Sequence, residues 1–181
     1  MAVLGRGESA WVRGAQEGSL PDLEALFREH WPRAHRAAFL VVQDAAAAED
    51  IAQEAFLSAI RSLERFDRRR PFGPWLHRIV VNRAIDWSRA RTIRAEVGGD
   101  AIAHQEAPSS APGGEPYSKP MWDALAALSP EHRAVIVLRH VLEYTPGEIA
   151  DLLDLPRGTV NSRLRRGLDR LRDELPEVND A

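Results

Sequence analysis

Between Ala95 and Pro120 the helical spacing that runs through the rest of the chain fails. Prolines stand at positions 108, 112, 116 and 120, and glycines are paired at 98–99 and 113–114. Proline lacks a backbone donor and crowds the preceding turn, and glycine gains the most freedom when unfolded, so no continuous helix or strand is expected to cross this stretch. Whatever folds must fold on either side of it. The segment 95–120 therefore reads as a flexible linker that divides the 181 residues into two pieces, 21–94 and 121–175. Strand signals are scarce in both, while apolar residues recur at three- and four-residue intervals. The expected fold is all-α: two small helical domains, an N-terminal bundle and a C-terminal helix-turn-helix.

In the first piece, Pro21 with Asp22 and Glu24 makes a helix start, and Leu23, Leu26, Phe27 and Trp31 follow at helical spacing up to about Val42. A second helix follows the Gln43-Asp44 break, with Ile51, Ala55, Leu63 and Phe66 as its buried stripe. On another face Asp50, Gln53 and Glu54 fall together. A third starts near Pro74, with Trp75, Ile79, Asn82 and Asp86 along one side. In the second piece a helix is expected over 121–128, another opened by Ser129-Pro130-Glu131, and another by the capping box Thr145-Pro146-Gly147-Glu148.

Charge is distributed unevenly. The net charge is −3, yet residues 61–94 hold ten arginines against Glu64, Asp67 and Asp86, and residues 157–172 hold six against Asp169. The stretch 95–131 between them holds six acids and one lysine. Two basic islands on two modules suggest two anion-binding surfaces, although arginines on a solvated helix face leave the same trace. Cysteine is absent, which excludes disulfide scaffolds, thiolate metal sites and cysteine nucleophiles and fits a reducing cytosol. No run of about 18 apolar residues occurs, so no membrane insertion is expected, and the first residues lack the apolar core of a signal peptide. His30, His35, His77, His104, His132 and His140 show no metal-ligand spacing, and no phosphate-binding glycine loop or catalytic motif is present. Neither a cofactor, a metal nor an enzymatic activity is expected.

The sharpest local signal is TPGEIADLLDLPRGTVNSRLRRGLDRLRDEL, from Thr145 to Leu175. Ile149, Leu152 and Leu153 face inward from one helix, and Val160, Leu164, Leu168 and Leu171 from the next. Ala150 sits at the crossing, and the 155–158 break makes the turn. Such a unit presents its second helix to a DNA major groove. Asn161, Ser162, Arg165 and Arg166 lie opposite the leucine stripe, where arginine can bond guanine bidentately and asparagine adenine. Thr159, Arg163 and the first amides of the helix suit phosphate.

Two segments carry a family resemblance. AEDIAQEAFLSAI (48–60) with FGPWLHRIVVNRAIDWSR (72–89) resembles the second conserved region of bacterial sigma factors. LSPEHRAVIVLRHVLEYTPGEIADLLDLPRGTVNSRLRRGLDRLR resembles their fourth. Their order and spacing are those of the compact extracytoplasmic-function group. The resemblance implies that Asp50, Gln53, Glu54 and Phe56 dock on core RNA polymerase. It implies that Trp75, Asn82, Arg83 and Arg89 hold the unpaired −10 promoter strand, and that the recognition helix reads the −35 duplex. It implies an anti-sigma factor as a further partner in the cytoplasm. Asn161, where a basic residue is frequent, and Trp87-Ser88 depart from the family pattern and bear on which promoter is read. Two other classes remain open on the residues alone: a self-sufficient helix-turn-helix regulator whose bundle senses a ligand or dimerises, and a helical adaptor that never meets nucleic acid.

Overall fold

The structure, a computed structural model, describes residues 7–98 and 118–175. Among these residues the chain forms eight α-helices and no strand: α1 (Glu8–Gln16), α2 (Leu20–Val42), α3 (Ala45–Ser62), α4 (Phe72–Gly98), α5 (Lys119–Ala126), α6 (Pro130–His140), α7 (Pro146–Leu153) and α8 (Arg157–Glu174). A short 3₁₀ turn (Leu63–Arg65) leads out of α3.

The helix starts follow local chemistry. The side chains of Ser19, Asp44, Ser118, Ser129 and Thr145 each accept a hydrogen bond from the backbone three residues on. The Thr145–Glu148 capping box is complete, and its bonds from Thr145 hold the Glu148 carboxyl below the usual carboxylate range. Gln43 and Asp154 end α2 and α7 in left-handed conformations at φ 53° and 55°.

In the N-terminal bundle α2, α3 and α4 enclose Leu26, Leu40, Leu76, Val80 and Val81, all nearly inaccessible. The buried face of α3 is built from Ala47, Ala48, Ala52, Ala55 and Ala59, small enough for its neighbours to approach closely. In the C-terminal unit Gly167 performs the same service: a Cβ there would lie 3.1 Å from Ile136 Cγ1 on α6.

Three boundaries differ from the sequence-based expectation. Helix α1 precedes the expected start at residue 21, and α4 runs on to Gly98, past the expected end at 94. The second unit begins at Lys119 rather than 121. Residues 99–117 of the expected linker lie outside the described residues.

The two units also pack against each other. Trp122 of α5 is 1% exposed, with its ring 5.1 Å from that of Phe39 on α2. Gln43 Nε2 donates to the Trp122 carbonyl at 3.0 Å. Arg133 of α6 is buried and donates from Nη1 to the carbonyl of Val41 at 2.7 Å. Its Nε and Nη2 serve Leu125, Ala126 and Leu128 at the end of α5. One guanidinium thus satisfies the carbonyl ends of two helices from two units. Burial pushes it down to about 10, which leaves it charged at neutral pH. Two further contacts cross the same boundary: Arg33 donates to the Leu142 carbonyl, and His77 Nδ1 meets the Tyr144 hydroxyl at 2.7 Å. Burial, helped by the charges of His30 and Arg33, lowers His77 to about 3 and keeps it neutral, while burial raises Tyr144 to about 12.

Candidate nucleic-acid and polymerase interfaces

The first surface lies on α8. Its side-chain stripe of Val160 and Leu164 is buried against α6 and α7, which turns Asn161, Arg165 and Arg166 outward into solvent. Thr159, Ser162 and Arg163 are half-buried at its edge. The helix begins after Pro156 with no side-chain cap and no acidic residue in its first turn, so nothing there opposes an anion. Arg163 and Arg166 add to the burial that lowers His132 on α6, so the basic face carries no histidine charge at neutral pH. All six residues expected on this helix are therefore together, three fully presented and three flanking.

The second surface runs along α4 and the segment before it. Trp75 is half-buried, its ring 4.5 Å from Phe66 and 5.6 Å from Phe72. Its open side lines a cleft of about 490 Å³ with Arg65, Arg70 and Arg78, and the far wall comes from Tyr144, Glu148 and Asp151 of the C-terminal unit. An aromatic ring flanked by arginines suits an unstacked nucleotide. Asn82 and Arg83 stand two turns further on, ~10 Å along the helix at 1.5 Å per residue, and do not line this cleft. Arg89 is two turns beyond that. The four expected residues do not form one pocket; they are strung along ~21 Å of one helix, a length for several nucleotides.

Two of them are already engaged. Arg83 Nη1 lies 2.8 Å from Glu54 Oε2 on α3. Arg89 Nε donates to Glu131 Oε1 at 2.6 Å and pairs more loosely with Asp86. Burial opposes the Glu131 charge, yet the bond and charge of Arg89, together with hydrogen bonds from its own backbone and Ser129, hold its carboxyl below the usual range. Arg91 covers the Trp87 ring at 5.3 Å, which leaves less of that ring for a base.

The third surface is the outer face of α3. Asp50, Gln53 and Glu54 are exposed on it, with Gln53 bonded back to Glu49. Phe56 corrects the expectation: it is 4% exposed, its ring packed 5.0 Å from Phe27 and 5.8 Å from Trp31, so it forms core and not docking surface. The apolar groups that do reach solvent are Leu57, 51% exposed, and Ile60, 39% exposed. They continue the 50–53–54 spacing around the same face, a signal present in the sequence but not used. Arg65, Arg70 and Arg78 belong to the basic island of residues 61–94, but their convergence on one cleft depends on how the 63–72 segment turns. Among the described residues no group of His, Asp and Glu could hold a metal ion, and no helix is long and apolar enough to cross a membrane.

Comparison with known proteins identifies the family. The sigma-70 region 2 family matches residues 26–93 and the sigma-70 region 4 family residues 124–173. The RNA polymerase sigma factor CarQ of Myxococcus xanthus is 34% identical, covering 90% of this chain and 94% of its own. The ECF RNA polymerase sigma factor SigL of Mycobacterium tuberculosis (strain ATCC 25618 / H37Rv) is 35% identical over 93% and 97%. SigW of Bacillus subtilis (strain 168), named likewise, is 29% identical over 92% and 94%. Among solved structures, CnrH in complex with the cytosolic domain of CnrY superposes with a TM-score of 0.69 at 25% identity, over 96% of this chain and 99% of that one. The sigma factor RpoE in complex with the anti-sigma factor NepR from Bartonella quintana does so with 0.74 at 22% identity, over 87% and 99%, a likeness of fold. With both conserved regions present in order, and relatives above 30% identity along nearly their whole length, the chain belongs to the extracytoplasmic-function group of sigma-70-like RNA polymerase sigma factors.

Proposed function

We propose that the three surfaces divide one task. The α3 face, with Asp50, Gln53, Glu54, Leu57 and Ile60, docks on core RNA polymerase. Helix α8 reads the −35 duplex through Asn161, Arg165 and Arg166. Helix α4 with Arg65, Arg70, Trp75, Asn82, Arg83 and Arg89 holds the −10 strand as it opens. The observation that carries this is the pairing of an exposed helix-turn-helix reading face with a second, separate basic surface flanked by aromatic rings. Neither surface need bind strongly, because mounting both on one enzyme gives the second contact a high effective concentration.

Such a chain catalyses nothing itself and works where the polymerase works, in the cytoplasm. An anti-sigma factor is its natural restraint, since covering these faces blocks docking and reading together. In the packed arrangement α8 is open to DNA, whereas Arg89 is tied to Glu131 and the cleft is walled by Glu148 and Asp151, whose carboxylates repel phosphate. Strand capture therefore requires the two units to part.

Transcription by core polymerase on a promoter library, with and without this chain, tests the reading. Initiation at a −35/−10 promoter set is expected only with the chain present. Tight binding to an intact duplex by the chain alone, with no association with core polymerase, would favour a self-sufficient regulator instead.

A further inference from the structure

Helix α1 lies ahead of everything the region 2 family covers, and the promoter-reading surfaces described above make no use of it. It is seated closely on α2, since a side chain at Gly14 would collide with Asp22. Two of its polar side chains reach across the bundle to the backbone of one segment. Gln16 Nε2 donates to the carbonyls of Leu63 at 2.8 Å and Phe66 at 3.0 Å, using both of its amide protons. Glu8 Oε1 accepts from the backbone N–H of Phe72 at 2.7 Å, which places a carboxylate on the first residue of α4 as a cap supplied from another helix. The other oxygen of Glu8 lies 2.9 Å from His30 Nε2, and the His30 ring packs 5.1 Å from Phe72. Gly73 completes the fit, because a Cβ there would stand 3.2 Å from the His30 ring.

The two anchor points are ~12 Å apart along α1. Between them residues 67–71 are all exposed, so packing cannot fix their course. What orders them is the Asp67 turn, with Arg69 N–H on its carboxylate and Arg70 N–H on its carbonyl, together with the two anchors. Arg70 of the cleft beside Trp75 lies in this stretch, and Arg65 stands just ahead of it in the 3₁₀ turn that Gln16 anchors.

We propose that α1 is a positioning element for strand capture: Glu8 and Gln16 hold the two ends of the 63–72 segment and so fix where Arg65, Arg70 and Trp75 stand around the cleft. This rests on the assignment of that cleft to the −10 strand. A segment ordered in advance does not lose that freedom on binding, so releasing it should slow opening and blur base preference without touching the other surfaces.

The test uses holoenzyme assembled with full-length Glu8→Ala, Glu8→Gln and Gln16→Met chains. Opening is followed by 2-aminopurine fluorescence at −10, base preference by promoter libraries randomised separately at −10 and −35, and docking by core-polymerase affinity. Glu8→Ala and Gln16→Met are expected to slow opening at least fivefold and flatten −10 preference, with −35 preference and docking unchanged. Glu8→Gln, which keeps an acceptor for the Phe72 N–H, is expected to restore most of the rate. In the free chain, amide exchange at 67–72 is expected to quicken in Glu8→Ala more than elsewhere in the bundle. Wild-type behaviour of both variants, or a loss spread evenly over −10, −35 and docking in step with a lower melting temperature, overturns the proposal. If wild-type holoenzyme is itself indifferent to −10 bases, the cleft assignment fails and the proposal falls with it.

Discussion

Arg133→Met is expected to open the molecule. The substitution keeps most of the length and apolar stem of the side chain but removes every donor. Of the four carbonyls that Arg133 serves, three belong to its own unit and only that of Val41 lies across the boundary. A hydrogen bond from a charged donor is worth about 1.5–3 kcal/mol net, so the packed arrangement should weaken by about that much relative to the open one. At 1.4 kcal/mol per tenfold, the open fraction should rise about 10- to 150-fold. The cost of burying the cation, visible in its depressed pKa, is relieved at the same time and favours the lower end of that range. The chain has no cysteine, so Ala46→Cys and Arg170→Cys provide clean positions for a donor–acceptor dye pair, one on each unit. Single-molecule distances in the absence of polymerase should show a short-distance population giving way to a long one. Far-UV circular dichroism checks that α5 and α6 survive the loss of the other three bonds. Gln43→Asn, which tolerates the left-handed backbone but is too short to reach Trp122, offers an independent route to the same opening. Unchanged distances in a folded Arg133→Met chain would refute the view that this guanidinium holds the two units together.

Other perturbations separate the surfaces. Arg165→Ala should cut initiation at promoters that depend on −35 by about 1–3 kcal/mol, or roughly 5- to 150-fold, and relax preference at one −35 position only. Leu57→Asp should weaken core-polymerase affinity measured by titration, with the melting temperature unchanged, because Leu57 is half-exposed in the free chain. Gly167→Val should lower stability by about 1–3 kcal/mol in urea titration, since α6 and α8 must move apart to admit the side chain. Acid should also destabilise the packed chain. His77, ordinarily at 6.5, sits at about 3 when buried, so as pH falls through 6.5 the unfolded chain takes up a proton that the folded one refuses. Its stability contribution is complete above 6.5 and falls away towards 3 at up to about 1.4 kcal/mol per pH unit. His30, His35, His132 and His140 are displaced in the same direction. Thermal melts between pH 7 and 5 should therefore slope less in His77→Gln than in the wild type.

Much of the fold was legible where local chemistry decides it. The cap residues Ser129 and Thr145 and the leucine stripe of α8 announce their helices, and the outward arginines of α8 follow from the same spacing. Helix α1 is not legible in the sequence because nine residues with Trp11, Val12 and Ala15 give barely two turns of apolar pattern, and its partners lie 47–64 residues away in sequence. The extension of α4 was hidden for the opposite reason. Ile93 and Val97 are exposed, so its last turns bury no stripe that periodicity could detect. Phe56, two residues after Glu54, looked like surface by association, yet two helical steps turn it about 200° away, and it faces Phe27 and Trp31. Arg133 breaks the rule that arginines belong outside, because its side chain closes two helix ends at once.

The Glu54–Arg83 pair joins α3, proposed above to dock on polymerase, to α4, proposed to hold the DNA strand. Bonds of this exposed kind are weak, about 0–1 kcal/mol, but they still mute the cation they engage. While unaccompanied, the subunit thus offers the chromosome one fewer magnet for stray phosphates. On the proposed assignment, a polymerase that claims the carboxylate lets the guanidinium go at the place and moment a melted strand needs it, so that seating on the enzyme itself arms the reader.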